Sequence, residues 1–176
     1  QHPIEFEKKQ EKRFDMVINR LKDIRTAQVA YKSLHNEYTP SFDTLIKFIK
    51  TDSMRVVNKE GFVPDTLTEK KAVELGIVKR DTIKMPLMDT LFANINYPID
   101  SLGHIPCGTH APIHMDTATV MTGSKVAVKV FEAWVSNWDV LDGLDEQLII
   151  NYNAEKDSVL RVGSLTEATN NAGNWE

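Results

Sequence analysis

The chain has 176 residues, a net charge of −4 with both signs interspersed, and one cysteine, Cys107. That length supports an ordinary hydrophobic core without staples. The charge provides no basic face for nucleic acid, and a single cysteine excludes an internal disulfide.

In chain order, the first informative stretch is a helix. Phe14, Val17, Leu21, Ile24, Gln28 and Tyr31 follow one another at steps of three and four, and Ile18, Ala27 and Leu34 widen the seam to a stripe. That spacing predicts an amphipathic helix with one apolar face. Gln28 is the one polar residue on the seam and needs a hydrogen-bond partner there. Upstream, Glu5, Glu7, Lys8, Lys9, Glu11, Lys12 and Arg13 leave only Ile4 and Phe6 to bury. Residues 1–13 therefore read as an exposed helical stalk, and 14–176 as a single domain.

Asn36 to Pro40 stops the helix. A second helix of about ten residues follows, with Thr39 or Ser41 as its cap and Leu45, Ile46, Phe48 and Ile49 as its apolar face. Residues 55–67 read as a short strand and a loop. Residues 68–75 read as a short helix closed by Gly76. Residues 77–92 are predicted extended, with Pro86 forcing an edge or a bulge. Three prolines and two glycines make 93–112 irregular. Residues 113–121 and 125–134 flank Thr122-Gly123-Ser124 as a hairpin, with Val126, Val128 and Val130 on one face and Lys125, Ala127 and Lys129 on the other. A helix over 144–155, a strand over 159–162 and a brief helical turn at Ser164–Glu167 complete the order. The expected fold class is α+β, a long N-terminal helix packed on a small, mainly antiparallel sheet.

For chemistry, the dense cluster is His104, Cys107, His110 and His114, residue types that zinc takes when four converge. Cys107 beside one of these histidines is also a conceivable nucleophile and base. Asp142 with Asp145 or Glu146 reads as a helix start, and Trp134 and Trp138 as core or rim aromatics or a carbohydrate platform. No phosphate-binding glycine loop, Gly-x-Ser-x-Gly or zincin motif occurs. No cofactor is expected.

Two stretches resemble the type II secretion pseudopilins. One is Asp23–Tyr31, followed by Glu37-Tyr38-Thr39-Pro40-Ser41 and Leu45; the other is Ala172-Gly173-Asn174-Trp175. The whole chain also resembles an uncharacterised family of single-pass, membrane-anchored envelope proteins of Gram-negative anaerobes. The resemblance implies a pilin-like helix-on-sheet body and a non-enzymatic structural or assembly role. It also implies a periplasmic or other extracytoplasmic place, anchored by a segment upstream of Gln1. Partners would be envelope proteins or further copies meeting the long helix. On that reading of the chain as a protein–protein contact domain, the apolar face from Phe14 to Tyr31 is expected to be shared between the chain's own sheet and a partner. The chain departs from the acidic calcium loop of the pseudopilins, since Glu167-Ala168-Thr169-Asn170-Asn171 offers one carboxylate and two amides. The alternative is a metal- or cysteine-dependent enzyme centred on residues 104–116.

Overall fold

The computed structural model describes residues 2–176. Its first element, α1 (Pro3–His35), is a 33-residue helix. His2 caps its start by accepting the Ile4 N–H at 3.2 Å, and Pro3 sits at a first-turn position where a missing N–H costs nothing. Asn36 ends it in the left-handed region (φ 61), which asparagine tolerates, and donates its N–H to the Lys32 carbonyl.

The packed stripe is longer than the sequence suggests. Phe6, Gln10, Phe14, Val17, Arg20, Leu21, Ile24, Ala27 and Gln28 are all buried. The expected stalk over residues 1–13 is therefore corrected: helical it is, but Phe6 and Gln10 continue the i, i+4 line to Phe14, and Arg13 is half-buried. The face expected to be shared with a partner is also corrected. Phe14, Val17, Leu21, Ile24 and Gln28 are spent on the chain's own core. Tyr31 is half-buried, stacked on His35 at 4.3 Å and edge-on to Phe48 at 5.2 Å. The apolar residues that α1 leaves exposed are Ile4, Met16, Val29 and Leu34.

Gln28 finds its partner in the turn that follows. Its Nε2 donates to the Thr39 carbonyl at 2.6 Å, and its Oε1 accepts the Thr39 N–H at 3.1 Å. One side-chain amide thus closes both backbone groups of a buried residue, fixing the path from α1 into α2 (Phe42–Thr51). Ser41 is the residue that caps α2, accepting the Thr44 N–H at 3.2 Å.

The chain divides into two compact units, where one domain was expected. The first joins the residues up to Phe48 with Ile95–Glu176, and the second is Ile49–Asn94. The second contains β1 (Ser53–Glu60), α3 (Glu69–Glu74) and β2 (Lys79–Pro86). The strands form an antiparallel ribbon from Ser53 opposite Pro86 to Glu60 opposite Lys79, with Pro86 on the last rung, where its missing N–H breaks no ladder.

The first unit holds an antiparallel sheet in the order β3 (His114–Met121), β4 (Ala127–Ser136), β5 (Val159–Gly163). The hairpin alternation is as expected, but its most deeply buried positions are Phe131, Ala133 and Val135, with Leu160 and Val162 beside them on β5. Met115, on the same face of β3, meets Gln28 of α1 at 3.1 Å. Helices α4 (Asn137–Val140) and α5 (Glu146–Glu155) lie between β4 and β5 in the chain. Asp145 caps α5, accepting the Leu148 N–H at 3.1 Å, the role read for that acidic group. Ser164–Glu167 is not helical; the Ser164 hydroxyl accepts the Thr166 N–H and closes a local turn instead.

The burial pattern predicts a contrast. Ile24→Ala removes a fully buried side chain and is expected to cost about 3 kcal/mol. Lys9→Ala, on an exposed part of the same helix, should stay within about 0.5 kcal/mol. A urea melt that gives the two equal effects would contradict the assignment of the packed stripe.

Candidate functional site

The segment from Tyr97 to Cys107 lies against α1, and Arg20 of the helix positions it. Arg20 is buried, and its Nη1 donates to the carbonyls of Ser101 (2.6 Å) and His104 (2.5 Å). Its guanidinium carbon stands 3.7 Å from the centre of the Tyr97 ring. The Tyr97 hydroxyl in turn donates to Asp23 at 2.6 Å. Burial, and next the hydrogen bond to Asp23, push the Tyr97 hydroxyl well above the usual phenol range. Burial lowers Arg20 from its ordinary value, against the pull of Tyr97 and Asp23. Arg13, two turns earlier, donates to the carbonyls of Val140 (2.9 Å) and Asp142 (2.8 Å), just where α4 ends and its carbonyls lack helical partners.

The structure does not bring His104, Cys107, His110 and His114 together, which corrects the expectation that they form one centre. His104 pairs through its backbone with Pro112 and leaves its side chain exposed. Gly108 (φ 60) and His110 (φ 55) turn the chain between the would-be ligands. At Gly108 the backbone runs so close to Asp139 that no side chain fits, and Thr109 completes the weld by donating its N–H to the Asp139 carbonyl at 3.0 Å. His110 holds its Nδ1 3.2 Å from the Ile105 carbonyl. His114 opens β3 and stacks on Trp134 of β4, ring centres 5.5 Å apart. Among the described residues, no three His, Cys, Asp or Glu side chains are grouped to hold a metal ion.

Cys107 is half-buried, with its sulfur 3.9 Å from the Arg13 carbonyl. Burial pushes its thiol up, and the nearby charges of Arg13 and Arg20 offset this only in part. A thiol raised in this way is a poor nucleophile at neutral pH.

The second stretch singled out by sequence, the C-terminus, is tied to the body through Ala172, Gly173, Asn174 and the adjoining Glu176. Gly173 bridges Val162, extending the edge of β5, and Gly163 donates its N–H to the Ala172 carbonyl at 2.9 Å. Asn174 exchanges backbone and side-chain bonds with Arg161, and its Nδ2 also donates to the Val159 carbonyl at 2.9 Å. The Trp175 ring lies directly on Gly173, where a Cβ would stand 2.3 Å from it. Glu176 accepts the Gly173 N–H (2.9 Å) and an Arg25 N–H (2.5 Å), and these two bonds, in that order, hold its carboxyl below the ordinary range. Arg25 also donates to the Asn171 carbonyl (3.0 Å), and the Asn171 side chain donates to the Tyr38 hydroxyl (3.1 Å).

The loop 164–171 borders two open clefts. One, of about 320 Å³, runs beside Lys32, Tyr38, Val128 and Val130. The other, of about 350 Å³, lies beside Glu132, Arg161 and Asn174. Trp134 is half-buried on the outer sheet face, while Trp138 is 44 % exposed. The charged clamps of Arg13, Arg20 and Arg25 escaped the sequence reading, although Arg20 and Arg13 stand a turn apart from the apolar stripe's own members. No family model, curated protein or solved structure matches the chain.

Proposed function

We propose that this chain is a non-enzymatic, membrane-tethered domain of the cell envelope that acts through protein–protein contact, in a pseudopilin-like structural or assembly role. One observation carries the reading. The two stretches that resemble pseudopilins are more than a hundred residues apart in sequence, yet the residues flanking the second are bonded to the first: Arg25 to Glu176 and Asn171, and Asn171 to Tyr38, with the Arg25 guanidinium 6.0 Å from the centre of the Trp175 ring. Those residues therefore act together, holding the end of the long helix, its turn and the chain terminus as one piece. The divergence of His104, Cys107, His110 and His114, and the raised thiol of Cys107, weigh against the enzyme alternative at residues 104–116.

No helix among the described residues is long and apolar enough to cross a membrane, so the proposed tether lies in a preceding segment. The test is made on the full gene product in its own cells. A photo-crosslinking residue is placed at Met16 or Val29, both exposed on α1, and the cells are fractionated. The expected result is recovery in the membrane fraction, with crosslinked adducts to other envelope proteins. Recovery in the soluble cytoplasmic fraction without adducts would overturn the proposal.

A further inference from the structure

Three cross-strand pairs of like charge stand among the described residues, and two of them, one of each sign, lack a bridging counter-charge. On the β1–β2 ribbon, Arg55 is opposite Lys84, and both are exposed. On β3–β4, Asp116 is opposite Glu132, the first exposed and the second half-exposed. Directly opposed residues of antiparallel strands stand about 4.5–5.5 Å apart, so each pair repels itself. Such pairs normally recruit a counter-charge from their own chain, and the ribbon shows how. Two rungs along the same face, Lys59 is opposite Arg80, and Glu69 of α3 bridges both, at 3.4 Å and 3.1 Å. Among the described residues, nothing does this for Arg55 and Lys84. Asp116 accepts only its neighbour's N–H, from Thr117 at 2.8 Å. Arg161, on the outer sheet face one rung from Glu132, reaches Asp157 at 4.0 Å.

The charges are also divided between the two units. Residues 49–94 carry eight basic and seven acidic side chains, so of the total −4 the remainder carries −5. The unmatched cationic pair lies in the first of these sets and the unmatched anionic pair in the second. Each is a directly opposed pair on neighbouring antiparallel strands, one on the two-stranded ribbon and one on β3 and β4 of the three-stranded sheet, so one can meet the other side chain to side chain.

We propose that the Arg55–Lys84 pair of one copy docks on the Asp116–Glu132 pair of a second copy. Each Lys or Arg nitrogen then meets a carboxylate of the partner, and the two self-repelling pairs neutralise one another. The contact uses a different patch on each copy, so it is head-to-tail, and its repetition builds an open chain or a ring. The proposal names a partner for the contact role given above and rests on that reading only so far; the exposed face of α1 takes no part in it.

The purified chain tests this by sedimentation velocity from low micromolar to about 1 mM, where a complex with a Kd of that order is half formed. In low salt the wild type is expected to grow in mass with concentration. About 0.5 M salt should abolish the growth, because solvent-exposed charge pairs are screened. Arg55→Glu with Lys84→Glu, and separately Asp116→Lys with Glu132→Lys, should each be monomeric, with affinity weakened at least about tenfold. An equimolar mixture of the two variants should associate again. Circular dichroism checks the folding of each. If a reversed pair does not fold, Arg55→Ala with Lys84→Ala and Asp116→Asn with Glu132→Gln replace it, and each should be monomeric. A wild type that is monomeric throughout, or an association that either variant leaves intact, overturns the proposal. Neither outcome touches the crosslinking of α1 to other envelope proteins, so the two readings fail separately.

Discussion

Arg20→Ala is expected to destabilise the protein by about 4–5 kcal/mol, far more than the exposed position of most arginines would suggest. The guanidinium is buried and bonds two carbonyls, those of Ser101 and His104. Truncation strips the His104 carbonyl of its Arg20 donor, at about 1–3 kcal/mol, and leaves the Ser101 carbonyl with the His104 N–H alone, a lost bond worth about 1.5–3 kcal/mol because its donor is charged. It also removes a cation from the face of Tyr97, worth about 2 kcal/mol when desolvated. These contributions share one site and overlap, so their sum is an upper bound. Arg20→Lys keeps the charge but not the planar fork, and should lose roughly half as much. Urea titration reads both, and a loss below about 1 kcal/mol for Arg20→Ala would show that the segment over α1 is held by other contacts.

The same cluster has a pH signature. The folded-state value of Tyr97 is raised, chiefly by burial and then by its bond to Asp23. Its contribution is fully present below the unfolded tyrosine value of about 10. It is lost as pH rises from there through the folded value. An alkaline stability titration should therefore fall less steeply in Tyr97→Phe than in wild type.

The parts of the fold that were legible in the sequence are those where one physical signal dominates. The spacing from Phe14 to Tyr31 marked α1, and the alternation around Gly123 marked the β3–β4 hairpin. Where charge and packing mix, the signal was hidden. Phe6 and Gln10 continue the stripe, but the charged residues between them made the first thirteen positions look solvated. The β1–β2 ribbon was read as two separate extended pieces, because the strands are joined through a loop and α3 rather than a tight turn. Ser164–Glu167 carries the residue order of a helix start, yet the Ser164 hydroxyl spends itself on Thr166.

Proximity along the chain misled at residues 104–116 for a related reason. Four ligand-type side chains lie within eleven positions, but the backbone turns at Gly108 and His110, and the last of the four is committed to a strand face. The Arg20 clamp was the harder case. An arginine beside the apolar seam reads as solvated unless the carbonyls that need it are known, and those belong to residues some eighty positions away.

Gly163→Ala is expected to be among the most damaging single methyls in the chain, costing about 2–5 kcal/mol or preventing folding. Gly163 ends β5 with φ 77, a conformation that costs an L-residue about 1–2 kcal/mol. An added Cβ would overlap the Phe131 carbonyl oxygen, with 2.1 Å between them. Backbone cannot rotate aside as a side-chain end does, so relief requires β5 to move away from β4, at a further cost of about 1–3 kcal/mol. That movement also pulls on the Gly163 N–H to Ala172 bond and on the bridge from Val162 to Gly173. The C-terminal segment, with Asn174, Trp175 and the Glu176–Arg25 pair, is thereby loosened from the body. Gly123→Ala is the control: a Cβ there meets nothing within 4 Å and needs no left-handed backbone. It should change stability by no more than about 0.5 kcal/mol. The comparison is made by thermal melts and by Trp175 fluorescence, which should shift towards that of an exposed indole in Gly163→Ala alone. A Gly163→Ala protein that melts within about 2 °C of wild type with unchanged fluorescence would show that the strand end is soft, and that the terminus is held by something other than its pairing with β5.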